Sequence, residues 1–399
     1  MSIVGEAVPR RGHIVPGRFG TDRGAWIVWG CFALLVVATR LDSVASIENV
    51  FTIYREAGLR WLNGQDLYPA EFKFNYFPPS AVLFAGWSWL PFGLGGAIWR
   101  ILNIAVFAYG LWSLSNRAEP TPSSQRFFVA TVVTVVLSGS AARYGQMTLA
   151  MAGLMMAAVA LVETGALWRA AACAALAVAL KPLAIVLLLL LVAIYPRLLW
   201  RCGVALAVLF LMPFLFQHPD YVWRQYAAVP AMLATRAHPN YGWQQNIFGL
   251  LDKLFWSATD VGQTVTNGAL AVAVMFLCWR ARRHAPAIGV ALAIYGLASC
   301  YILLFGSGTE RNTYAMLAPV IGLVAVTALE AWDRRLLAFV GSLILIMLLS
   351  YTLQHAFPHT VLAMAKPIAC LLLFAWLVWI VLRTPREANK PATPNASLS

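Results

Sequence analysis

A few polar side chains stand between long apolar stretches of this chain, and their types fit group-transfer chemistry. Arg143 and Gln146 lie in the turn RYGQ, Lys181 in ALKP, and Glu310 and Arg311 in ERN. Lysine and arginine side chains can neutralise a phosphate group. A carboxylate can deprotonate a hydroxyl as a general base. The pattern predicts a site that binds an anion and activates a hydroxyl.

Two polar intervals add further candidates. The interval 41–79 holds five of the chain's 16 acids, among them Asp42 and Glu48, which join Glu310 as candidate bases. Tyr76 offers an aromatic face to a sugar ring. The second interval includes HPNYGWQQN (238–246), in which Asn240 and Gln245 can hydrogen-bond sugar hydroxyls.

Each of these residues also has a structural interpretation. Lys181 beside Pro182 is compatible with a lysine that extends to the interface next to a helix kink. Gln146 fits an interhelical hydrogen bond, Glu310 and Arg311 fit a structural ion pair, and the aromatic residues fit an interfacial belt. The functional hypothesis therefore depends on several residues meeting in one place.

Composition decides which kind of chain must position them. The 399 residues are 61% hydrophobic and 11% charged, whereas soluble domains average about 25% charged residues. Apolar runs recur along most of the length, which predicts an all-α, polytopic integral membrane protein with roughly twelve transmembrane helices. The net charge of +13 comes from arginines at the ends of apolar segments, so the positive-inside rule explains it better than nucleic-acid binding.

Charge asymmetry predicts the topology. Residues 1–24 are expected to form a cytoplasmic segment, 25–382 the multi-span domain with a first outer loop at 41–96, and 383–399 a disordered cytoplasmic tail. Both termini are then cytoplasmic in a cell-membrane protein. The candidate site residues all fall on the outer face. Membrane lipids are expected partners of the protein, and nucleic acid is not.

Several segments have features that bear on the site. Residues 47–63 show apolar residues at helical spacing, which predicts an amphipathic interfacial helix. The stretch 77–92 begins with Pro78-Pro79 and is expected to be a juxtamembrane or re-entrant helix. The segments 167–180 and 183–195 are each shorter than a membrane span and are split at Lys181-Pro182. A single helix from 167 to 195, kinked at Pro182, is the alternative.

The six cysteines lie in or beside apolar segments and form no CxxC pattern. Packing residues are therefore expected there, with no disulfide framework and no metal site. No cofactor is expected either.

Motifs spread over most of the chain resemble the GT-C membrane glycosyltransferases, and among them glycosyltransferase family 87, the polyprenyl-phosphate-mannose-dependent α-mannosyltransferases. The matching stretches are YREAGLRWLNGQDLY (54–68), NYFPP (75–79), GQ (145–146), ALKP (179–182), Asn240 with QQN (244–246), and ERNTY (310–314).

The resemblance implies an inverting hexosyltransferase that moves mannose from a polyprenyl-phosphate sugar to a lipid or glycan acceptor outside the cytoplasm. In the family the proposed base is an Asp shortly before the tyrosine that matches Tyr54. Here positions 50–53 are Val, Phe, Thr and Ile, and the nearest acids are Glu48 and Asp42. Glu310 is the third candidate, while Lys181 and Arg143 would contact the donor phosphate.

Two other functions remain open at this point. A transporter or flippase of lipid-linked or hydrophilic substrates would place its polar residues near the bilayer midplane and show inverted repeats. A non-catalytic membrane protein of envelope assembly would account for the missing Asp.

Overall fold

The computed structural model describes residues 22–39, 49–117, 125–237, 245–254, 259–284, 286, 288–306 and 309–384. Within these residues every regular element is helical, with sixteen α-helices joined by turns and short 3-10 segments. The predicted all-α class is confirmed.

The first half of the chain forms helices α1 (Asp22–Ala38), α2 (Phe51–Leu62), α3 (Pro78–Ala85), α4 (Phe92–Arg117), α5 (Arg126–Arg143), α6 (Thr148–Glu163), α7 (Leu167–Leu180) and α8 (Ile185–Ile194). The second half forms α9 (Leu199–Leu211), α10 (Pro219–Ala237), α11 (Ile247–Lys253), α12 (Asp260–His284), α13 (Val290–Phe305), α14 (Ala318–Glu330), α15 (Arg334–Ala356) and α16 (Ala365–Arg383).

Seven helical segments in the described part of the chain are long and apolar enough to cross a membrane. They are Phe92–Asn116, Arg126–Arg143, Pro196–Leu215, Asp260–His284, Arg311–Glu330, Arg334–Ala356 and Val361–Arg383. Four shorter apolar helices, Thr148–Glu163, Leu167–Leu180, Pro182–Ile194 and Val290–Phe305, accompany them. The chain is a multi-pass membrane protein, and the count of about twelve spans stays a prediction because these four fall below spanning length.

Helix α6 lies at the centre of the bundle, and almost all of its side chains are buried. It crosses α4 at two glycines, Gly110 and Gly153. A Cβ atom at Gly153 would lie 2.3 Å from the carbonyl oxygen of Val106, and one at Gly110 would lie 2.2 Å from that of Gly153. The two backbones are therefore in direct contact, as in small-residue crossings of membrane helices.

The predicted amphipathic helix is α2, and its apolar face packs against protein. Phe51, Tyr54 and Trp61 are fully or almost fully buried. They belong to a cluster that also includes Phe84 of α3 and Trp99 of α4, called here the aromatic cluster. Helix α3 has 8 residues and is about 12 Å long, far less than the ~30 Å hydrocarbon core. The segment 77–92 therefore does not span, as predicted.

The chain breaks between α7 and α8. Lys181 adopts an extended conformation with φ −146° and ψ 123°, and a short 3-10 turn from Pro182 to Ala184 precedes α8. The alternative of a single helix from 167 to 195, kinked at Pro182, is wrong, because the extended Lys181 divides the segment into two helices. Proline at position 182 removes a backbone donor and disfavours helical geometry at the residue before it.

Helix α10 is not expected from the sequence, because the polar motifs between residues 217 and 265 predict an outer region in which only 247–256 is apolar enough for a short interfacial helix. Pro219 occupies its first turn together with Asp220. Both residues are signals of a helix start. Pro230 within the helix argues against a helical prediction, because proline is unfavourable in a helix interior. Helix α10 binds residues 65–67 of the first polar interval. The Gln225 side chain accepts a hydrogen bond from the Leu67 N–H at 2.9 Å, and the Tyr221 hydroxyl donates to the Gln65 carbonyl at 2.7 Å.

Candidate active site

The turn between α5 and α6, residues 144–147, is the point to which the neighbouring elements are tied. Gly145 has φ +65°, a conformation that favours glycine. The Trp99 indole donates to the Gly145 carbonyl at 2.7 Å, and the Asn103 amide donates to that of Gln146. Helix α4 thus binds the carbonyl groups of this turn directly.

Helix α2 binds the other side of the same turn. The Met147 N–H donates to the Tyr54 hydroxyl at 3.1 Å, and the Val50 N–H donates to the Tyr144 carbonyl at 3.2 Å. Arg100 connects both sides, since its guanidinium donates to the Asn49 side chain at 3.0 Å and to the Arg143 carbonyl at 3.2 Å. Residues 49–54 and the α5–α6 turn are therefore joined by several hydrogen bonds.

Tyr54 and Tyr76 share a hydrogen bond of 3.2 Å between their hydroxyls, and their rings meet edge to face. Burial, and the neighbouring Tyr76, raise the pKa of Tyr54 well above its ordinary value, so its hydroxyl stays neutral. Tyr76 is only 9% exposed. Its ring is occupied by packing within the aromatic cluster, and its predicted contact with a sugar stays a prediction.

Lys181 lies at the α7–α8 break with 3% of its surface exposed. Its Nζ donates to the Thr148 hydroxyl at 3.1 Å, at the first residue of α6. The Ser80 hydroxyl of α3 donates to the carbonyl of Ala179, two residues before the lysine, at 2.6 Å. Helix α3 therefore also fixes the break that carries Lys181.

Glu310 reaches the same turn from the C-terminal half of the chain. The Gln146 Nε2 donates to its carboxylate at 3.1 Å. The residue is exposed and precedes the 3-10 segment Arg311–Leu317. Gln146, Thr148, Lys181 and Glu310 are called here the polar centre. Three of these four were predicted as site residues, and the structure brings them together from three distant parts of the sequence.

Gln245 contacts, through its backbone, the segment that precedes Glu310 and the tyrosine that follows it. Its N–H donates to the Thr309 carbonyl at 3.1 Å, and its carbonyl accepts from the Tyr314 hydroxyl at 2.7 Å. The side chain of Asn246 caps α11 by accepting from the Gly249 N–H at 3.0 Å. The backbone of Gln245 thus holds the segment that presents Glu310.

The two predicted arginines have different surroundings. Arg143 is exposed in the last turn of α5, next to the α5–α6 turn. Arg311 turns away from that region, with its guanidinium 5.4 Å from the centre of the Tyr351 ring of α15. Its carbonyl accepts from Lys366 Nζ of α16 at 3.1 Å. Glu310 and Arg311 therefore serve different neighbours and do not form the expected ion pair with each other within the described residues.

Asp42, Glu48 and Asn240 lie outside the described residues, so their predicted roles stay predictions. Three residues that matter for the site's geometry were missed: Arg100, Asn103 and Thr148. Arg100 and Asn103 are 4% and 1% exposed in an otherwise apolar helix. Ionisable and amide side chains in that position are a signal of function or of buried hydrogen bonds, and that signal was available in the sequence.

All six cysteines are free, and no group of three or more His, Cys, Asp or Glu side chains in the described residues could hold a metal ion. The absence of a cofactor stays a prediction. The polar centre as it stands combines a buried cation, an exposed carboxylate and an amide that orients it.

Comparison with known proteins adds a family assignment. A search of curated proteins finds no match. Among solved structures, ArnT from Cupriavidus metallidurans bound to undecaprenyl phosphate is similar, with 15% sequence identity, a TM-score of 0.43, and coverage of 90% of this chain and 77% of that one. No residue role here rests on that similarity. The model of glycosyltransferase family 87 matches residues 74–306. That range is more than half of the chain and includes Tyr76, Gln146 and Lys181, and the protein therefore belongs to glycosyltransferase family 87, a family of membrane glycosyltransferases.

Proposed function

We propose that the protein transfers a hexose, mannose, from a polyprenyl-phosphate sugar to a lipid or glycan acceptor at the outer face of the cytoplasmic membrane. Both termini are cytoplasmic in this proposal, and the reaction inverts the configuration at the anomeric carbon. No metal or other cofactor takes part.

The polar centre is the observation that carries the proposal. Lys181 is buried at a helix break, where the backbone geometry is irregular. Glu310 is exposed and is oriented by Gln146. A cation that binds phosphate and a carboxylate that accepts a proton are thus connected through the two ends of one short segment, Gln146 to Thr148.

Glu310 and Lys181 account for the proton and the negative charge that the reaction produces. The acceptor oxygen forms a bond to the anomeric carbon while the bond from that carbon to the phosphate oxygen breaks. The acceptor proton goes to the Glu310 carboxylate. The leaving polyprenyl phosphate gains a second negative charge, which Lys181 stabilises more strongly in the transition state than in the bound donor.

Other residues have supporting roles in the proposal. Arg143 assists with the phosphate, since it is exposed beside the same turn. Asn240 and Gln245 bind sugar hydroxyls, and Asp42 and Glu48 are the alternative bases. Tyr76 acts through Tyr54 on the α5–α6 turn more than through a sugar contact, because its ring is buried.

The test uses purified protein, radiolabelled polyprenyl-phosphate mannose and a membrane acceptor extract. The wild-type protein is expected to transfer the label, and Glu310→Gln to lose at least about 100-fold in rate because general-base catalysis contributes about 10²–10⁴-fold. Donor binding is expected to persist in this variant. Glu71→Gln is the matched control, since Glu71 is an exposed acid of the first polar interval.

Full activity of Glu310→Gln would exclude Glu310 as the base. Parallel assays of Asp42→Asn and Glu48→Gln then show whether another carboxylate acts. Absence of label transfer by the wild type, across several polyprenyl-phosphate sugars, would overturn the transferase proposal itself.

A further inference from the structure

The guanidinium of Arg311 lies outside the polar centre, and within the described residues one of its nitrogen atoms makes no hydrogen bond. Its Nη1 is buried and has no hydrogen-bond partner among the residues that the structure describes. The guanidinium lies against the Tyr351 ring, which engages its face and leaves the in-plane N–H donors available. A buried donor without a partner is unfavourable, and more so when it is charged.

A second cation adjoins Arg311. The Nζ of Lys366 donates to the Arg311 carbonyl at 3.1 Å, which brings the ammonium to the same turn. Within the described residues neither side chain forms an ion pair with an acid. Glu310, the nearest acid in sequence, accepts from Gln146 on another side. Two partly buried cations therefore share one place without a carboxylate partner, which favours a bound anion.

The same place opens towards the lipid phase. Most of helix α15 faces outward from the bundle, because only 22% of its apolar stretch is buried against the rest of the protein. Tyr351 is 61% exposed, and Leu348 and Leu349 in the preceding turn are exposed as well. The His355 ring packs against Tyr351 at an interplanar angle of 35°, with centroids 4.1 Å apart. An acyl chain along the leucines would bring its headgroup to the level of Tyr351 and Arg311.

We propose that Arg311 and Lys366 form an anion subsite, separate from Lys181, that binds the phosphate of an anionic membrane phospholipid lying along α15. The bound phosphate accepts hydrogen bonds from the unpartnered guanidinium and from the ammonium. Because Arg311 directly follows Glu310, the bound lipid also stabilises the turn that presents the carboxylate. The binding site itself does not depend on the proposed transferase activity.

Photolabelling tests the site. The protein is placed in phosphatidylcholine nanodiscs that contain a trace of phosphatidylglycerol with a photoreactive group near its headgroup, and labelled peptides are mapped by mass spectrometry. We expect label at the end of α15 and the turn after it, residues 351–360. A phosphatidylcholine probe of the same design is expected to label this segment weakly.

Variants separate this subsite from others. Arg311→Gln is expected to reduce labelling of 351–360 about 10-fold or more, from the loss of a charged hydrogen bond of about 1.5–3 kcal/mol, and Arg311→Lys is expected to restore part of it. Arg335→Gln is the matched control, because Arg335 is an exposed arginine at the opposite end of the same helix. Lys181→Gln is expected to leave labelling unchanged.

Polyprenyl phosphate is the competing source of the same chemical group. Displacement of the probe by excess polyprenyl phosphate, with loss of labelling in Lys181→Gln, would show one donor site and overturn the proposal. Equal labelling by the phosphatidylcholine probe, or unchanged labelling in Arg311→Gln, would do the same. Retained polyprenyl-phosphate binding in Arg311→Gln shows that this variant is folded and supports two separate sites.

Discussion

Lys181 is a buried cation in a membrane protein, and the burial of a charge is unfavourable in free energy unless other groups compensate it. Its ammonium binds the Thr148 hydroxyl and is almost excluded from solvent. A neutral residue of similar length would avoid the desolvation cost of a charge. In the proposed function the ammonium of Lys181 has a use in this position, because it binds the phosphate of the substrate.

Replacement of Lys181 by Gln is therefore expected to weaken binding of polyprenyl phosphate about 10- to 150-fold, the equivalent of a charged hydrogen bond of about 1.5–3 kcal/mol. Titration of the labelled lipid into detergent-solubilised protein measures it. Lys73→Gln, which removes an exposed charge of the first polar interval, should bind as tightly as the wild type. Equal losses in both variants would point to a general charge effect and remove Lys181 from the site.

At the scale of elements, the α4–α6 crossing sets where the polar centre can form. Helix α6 begins at Thr148, and α4 holds the preceding turn through Trp99 and Asn103. The contact of the backbones at Gly110 and Gly153 brings the two helices close enough for these hydrogen bonds. A wider separation would withdraw the donors of α4 from the turn.

Gly153→Ala is expected to destabilise the protein by about 1–3 kcal/mol, because the new methyl group collides with the backbone of α4. The loss should appear as a lower thermal midpoint and as reduced activity, since the turn with Gln146 is displaced. Gly139→Ala provides the matched control, as a Cβ there meets no atom within 4 Å. A Gly153→Ala protein as stable as Gly139→Ala would show that the crossing tolerates separation.

At the scale of the whole molecule, one pair of helices has site residues near one end and an ion pair at the other end. Helix α5 and the segment Arg311–Glu330 run antiparallel: Ser140 donates to Asn312 at 2.7 Å near the polar centre, and Arg126 pairs with Glu330 at 3.0 Å at the far end. The first polar interval belongs to the former end. The proposed topology places that end outside the cell.

Thiol labelling checks this orientation. In a Cys31→Ser background, which removes the exposed native thiol, Glu71→Cys is expected to react with an impermeant reagent in intact cells, and Ala331→Cys only after permeabilisation. The two positions are exposed at opposite ends of the bundle. The reverse pattern would invert the topology and place the polar centre in the cytoplasm.

Most of the architecture could be read from the sequence, because each membrane helix is encoded locally. An apolar run of sufficient length, ended by arginine or proline, indicates a helix whatever its neighbours are. The apolar runs 127–140, 148–163 and 167–180 each predict a membrane segment, and they lie within α5, α6 and α7. The break at Lys181-Pro182 was likewise predictable from proline's missing donor. Helix α10 was missed since its composition is mixed and Pro230 interrupts it.

The sequence by itself determined the class, the helices and the types of residue available for chemistry, since these follow from hydropathy and local backbone preference. Only the tertiary structure decided which polar residues meet. Gln146 and Glu310 are 164 positions apart, and their hydrogen bond depends on packing that no local pattern records. It also directed Arg311 away from Glu310, because adjacent residues at the start of a helical turn project towards different neighbours.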